Sequence, residues 1–149
     1  MTAIRRYVPT AARLLLGLVF TTFGLNFFLH FLPMPPPPPK ALAAMMGLMA
    51  NGYLMQLAHA TELVAGVLLL TGLFVPLALT LLAPIIVNIV AFHLAVAPSG
   101  LGLAVVVLAL EIGLAWAYRA AFAPMLRART PLAAAAGGHS VDDDLRAVA

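Results

Sequence analysis

Glu62, Asn88, Glu111 and His59 interrupt a chain that is otherwise almost continuous hydrocarbon. A carboxylate near the centre of a bilayer costs at least ~2.5 kcal/mol on insertion scales, so such groups face a bundle interior, find partners and mark function. His59 and Glu62 stand three residues apart, close enough on one helix face to hydrogen-bond or to hold a ligand jointly. The chemistry open to them is proton exchange or recognition of a polar headgroup. The plainer reading is a carboxyl hydrogen-bonded to a neighbouring helix as structural glue. Glu111 stands between the same two readings, and an amide such as Asn88 is suited to interhelical hydrogen bonds. Asn26 and His30, four apart, share a face, and His93 follows Asn88 by five residues, about 140° of helical rotation.

Composition sets the environment of these groups. Of 149 residues, 64% are hydrophobic and 9% charged, against about 25% charged in a soluble domain. The expectation is an all-α integral membrane four-helix bundle. Four apolar runs, about residues 12–32, 53–73, 76–96 and 101–121, are each long enough to span ~30 Å of hydrocarbon, where helices are the spanning form of such runs. The run Pro35–Pro39 must be extended polyproline II. A short interfacial helix is expected at about 40–50, and a disordered cytoplasmic tail from 130 to 149. Seven of the eight basic residues, all but Lys40, fall on the side of the two termini. The positive-inside rule then puts both termini of a multi-pass membrane protein in the cytoplasm. Those arginines suit membrane orientation, and nucleic acid is not an expected partner; the lipid bilayer is. Close helix contact is expected at Ala65 and Gly66 and along Ala109, Gly113 and Ala117.

Position along a helix converts to depth at 1.5 Å per residue. His59 then lies roughly 9 Å, Asn88 about 12 Å, Glu62 about 13 Å and Glu111 about 15 Å below the outer boundary. Asn26 falls at about 9 Å, with His30 and His93 within about 5 Å of that surface. The candidate ligand-binding or proton-handling residues are therefore Glu62, His59, Asn88, His93, Glu111, His30 and Asn26, around a pocket opening toward the outer face. No metal is expected. His59-x-x-Glu62 reverses the Glu-x-x-His motif of diiron bundles, which need two such motifs and more carboxylates than this chain carries. A b-type haem would have only His59 with His93 as axial ligands. The absence of cysteine excludes thiolate metal sites and thiol–disulfide chemistry by the chain itself.

A set of local runs carries a family resemblance. They are Arg13-Leu-Leu-Leu-Gly-Leu-Val-Phe, Phe23-Gly24, Glu62-Leu-Val-Ala-Gly-Val-Leu-Leu-Leu-Thr-Gly72 and Val75-Pro-Leu-Ala-Leu. Asn88, His93, Glu111 and Trp116-Ala-Tyr-Arg119 complete it. Over about residues 12–122 the chain resembles the DoxX-like family of small four-helix bacterial membrane proteins. The resemblance implies an accessory or quinone-interacting subunit of a membrane redox system, with quinone as the cofactor and a redox complex as the partner, and no established catalytic set. The alternatives are a small-solute or lipid carrier working as a homo-oligomer, and a structural partner without chemistry.

Overall fold

The computed structural model describes residues 2–128. Four long helices dominate: α1 (Thr2–Leu29), α3 (Leu54–Thr71), α4 (Val75–Ala95) and α5 (Leu101–Ala117). Two short helices, α2 (Pro39–Met49) and α6 (Arg119–Phe122), and a single 3-10 turn at Pro98–Gly100 complete the described residues, which contain no strand. All four long segments are of a length and apolarity to cross a membrane. The molecule is an all-α, multi-pass membrane helical bundle. The tail expected from residue 130 lies outside the described residues.

Local chemistry sets the ends of these elements. α1 begins well before the first apolar run and stops at Leu29, short of the Leu32 end expected from hydropathy. His30 adopts φ 52°, and the Leu32 N–H donates to Asn26 Oδ1 at 2.6 Å. Pro33 disfavours helix in the residue before it, so the chain turns out ahead of the proline run. Pro38 is in the polyproline region (φ −54°, ψ 151°) and Pro39 opens α2, a position where its missing N–H costs nothing. Gly72 ends α3 in the left-handed conformation, φ 77°, with its N–H on the Leu68 carbonyl.

The tightest helix contact is between antiparallel α1 and α3. A Cβ on Gly17 would stand 3.0 Å from the Gly66 carbonyl oxygen, and one on Gly24 3.0 Å from the Leu63 nitrogen. Gly66 thus serves the close approach expected of it. The α5 series does not: Ala109, Gly113 and Ala117 are exposed, and a Cβ on Gly113 would meet nothing within 4 Å. Leu16, Phe20, Leu69, Leu79, Leu82, Ile86 and Leu114 fill the centre. At the end of the bundle holding the start of α1, Arg13 donates to the Leu69 and Leu70 carbonyls of α3. This places a cation on a helix C-terminus, where carbonyls lack partners and the dipole is negative. The opposite end of the bundle carries α2 and the α4–α5 turn.

Candidate ligand-binding cavity

The first half of α3, the second half of α4 and α2 together line a cavity of about 560 Å³. Its walls are mostly apolar, with Met55 and Ala58 from α3, Ile85, Ile89 and Phe92 from α4, and Met45 and Leu48 from α2 above. Four polar side chains reach it: His59, Glu62, Asn88 and His93. The roof is tied down at one end, where Lys40 Nζ donates to the Ala95 carbonyl at 2.8 Å. That carbonyl belongs to the last turn of α4, so the ammonium satisfies an orphan acceptor there.

His59 and Glu62 form one unit. Nδ1 of His59 lies 2.7 Å from Oε2 of Glu62. Glu62 is 6% exposed. With Glu62 accepting, the imidazole carries its proton on Nδ1 and presents Nε2 as the working nitrogen, in the way a second residue fixes a histidine tautomer. The ring plane is fixed from the other side by Phe27 of α1, stacked at 4.1 Å between centroids and 22° between planes. Phe27 therefore positions the site, a role with no signal in sequence, because it depends on the approach of α1 to α3 at Gly24.

His93 is held differently. Its Nδ1 donates to the Ala97 carbonyl at 2.8 Å, and its ring occupies the space that a side chain on Gly100 would need. Phe92 stands edge-on to it. Asn88 and His93 both line the cavity although their positions differ by about 140° around α4. The cavity is broad enough to wrap that face, and the Ala97 bond pulls His93 toward the α4–α5 turn.

Three of the sequence candidates lie elsewhere. Asn26 is engaged by the Leu32 N–H at the end of α1. His30 is exposed in the left-handed residue that follows. Glu111 lines a smaller cavity of about 270 Å³ between α4 and α5, with Leu79, Thr80 and Ala83 of α4. It lies on the other side of α4 from the His59–Glu62 pair. Among the described residues, no three His, Asp or Glu side chains come together as a metal-ligand group.

No curated protein and no solved structure matches the chain. A family model described as DoxX matches residues 8–116, from the first long helix to the end of α5. Nearly three quarters of the chain falls within that match, and it takes in the whole α3–α4 cavity: this membrane protein belongs to the DoxX family.

Proposed function

We propose that the α3–α4 cavity binds the headgroup of a quinone, and that the protein is an accessory, quinone-interacting subunit of a redox system in the bacterial inner membrane. In this reading both termini are cytoplasmic and the cavity opens toward the outer face. The observation that carries it is the His59–Glu62 pair, hydrogen-bonded at 2.7 Å in the wall of an otherwise apolar cavity of about 560 Å³.

The fit is chemical as well as steric. A cavity of roughly 150 Å³ accommodates a benzene-sized molecule, so a substituted ring and the start of an isoprenoid tail fit here. A quinone supplies carbonyl oxygens that accept hydrogen bonds and that take up protons when it is reduced. His59 can donate to such an oxygen from Nε2 when the ring is cationic, and can take a hydroxyl proton there when the ring is neutral. Glu62 keeps Nδ1 protonated through that exchange and balances the charge. Asn88 offers a further N–H donor. The chain has no cysteine, so in this reading its electrons come from a partner subunit.

Binding of a short-chain quinone to the protein in lipid nanodiscs tests this. Glu62→Gln replaces a charge-assisted hydrogen bond by a neutral one, which is about half as strong. That substitution weakens quinone binding about fivefold, equivalent to roughly 1 kcal/mol, with the thermal midpoint little changed. Equal affinity in the two proteins contradicts the assignment.

A further inference from the structure

Glu111 presents a separate problem. It is 6% exposed, and its Oε2 is buried without a hydrogen-bond partner. Among the residues whose side chains are described, 7–128, the one ion pair is His59–Glu62, and none of their cations pairs with Glu111. An unpartnered carboxyl at this depth is costly, and groups kept at that cost face functional cavities. Glu111 does face one, about 270 Å³ in volume, walled by Leu79 and Ala83 of α4, Ala115 of α5, and Phe122 and Met125 beyond it. Adjacent residues of α4 divide the two cavities: Ala83 lines this one and Pro84 the quinone site.

With Glu111 ionised, as a bound cation would make it, the polar lining of this second cavity is acceptor-rich. Besides Glu111 its polar side chain is Thr80, whose hydroxyl hydrogen is committed to the Pro76 carbonyl at 2.8 Å. Thr80 Oγ1 therefore has only lone pairs left to offer. A matching ligand must bring donors, and a positive charge on them suits a carboxylate best. The other side chains that line the cavity are apolar. We propose that this cavity is a binding site for a small amine with an apolar body, the ammonium group meeting Glu111 and the body packing against Leu79, Phe122 and Met125. It is independent of the quinone reading and stands or falls separately.

The test compares 2-phenylethylamine with 2-phenylethanol, which share a body and differ in the polar end, binding to the full chain in nanodiscs. Empty nanodiscs correct for partition into lipid. The expected result is at least tenfold tighter binding of the amine by the wild-type protein. Glu111→Gln should reduce that preference to about twofold or less, while Glu62→Gln leaves it intact. Ala83→Leu, which keeps the carboxyl but fills the cavity, should weaken both probes at least fivefold. Equal affinity for amine and alcohol in the wild type, no binding of either, or a preference that survives Glu111→Gln overturns the proposal.

Discussion

Gly66→Ala destabilises the bundle by about 2–3 kcal/mol, the upper part of the range for forcing a methyl group into a packed contact. The added Cβ would stand 2.6 Å from both the backbone nitrogen and the Oγ1 of Thr21. A backbone nitrogen in the middle of α1 cannot move aside alone, so α1 and α3 must separate. That movement loosens Leu16, Phe20, Ala65 and Leu69, which are 0–3% exposed. It also shifts Phe27 off His59. Alanine's better helix propensity, worth up to about 1 kcal/mol over glycine, offsets only part of the cost. Gly113→Ala is the matched control, because nothing lies within 4 Å of its added Cβ. Equilibrium unfolding by SDS in mixed micelles should show a large loss for Gly66→Ala and none for Gly113→Ala. Equal behaviour of the two would mean that α1 and α3 do not pack as described.

Gly100→Ala acts on the site rather than on the fold. The backbone of Gly100 is ordinary for any residue, with φ −91° and ψ −2°, so alanine brings no conformational strain. Its Cβ would, however, occupy the place of the His93 ring. The ring must swing away and give up its bond to the Ala97 carbonyl, a net loss of about 1 kcal/mol. Stability therefore changes little while the cavity loses one of its polar groups and part of its shape. Quinone affinity should fall about tenfold, equivalent to about 1.4 kcal/mol, with the unfolding transition lowered by no more than the roughly 1 kcal/mol of that one hydrogen bond. An unchanged affinity would remove His93 from the site.

Much of this arrangement could be read from the chain before any coordinates, and the parts that could not share a cause. Four apolar runs declared four helices, and Pro35–Pro39 followed by a short apolar segment declared α2. Depth arithmetic placed Glu62, Asn88 and Glu111 in one layer, but depth says nothing of azimuth. α4 carries cavity-lining residues on two sides, Thr80 and Ala83 toward Glu111 and Pro84 and Asn88 toward Glu62. Which side a residue of α5 meets is decided by the packing of whole helices.

Arg13 illustrates the same limit. Its charge reads in sequence as an orientation signal, yet its guanidinium reaches the last carbonyls of α3. That reach depends on the register in which Gly17 meets Gly66. Lys40 likewise looks like a stray cation between two spans, and its bond to Ala95 exists only because α2 folds back over the α4 terminus. Asn26 and His30 share a helical face in the sequence pattern, but the helix ends between them. Side chains that link distant segments are therefore the ones that sequence periodicity leaves unassigned.

The most direct measurement is mass spectrometric quantification of quinone in the protein purified from its own membrane in mild detergent, with Glu62→Gln prepared in parallel. Near-stoichiometric quinone in the wild type, strongly depleted in the variant, is the predicted result. A wild-type protein free of quinone, or one that carries no more than Glu62→Gln, would contradict the assignment of the α3–α4 cavity.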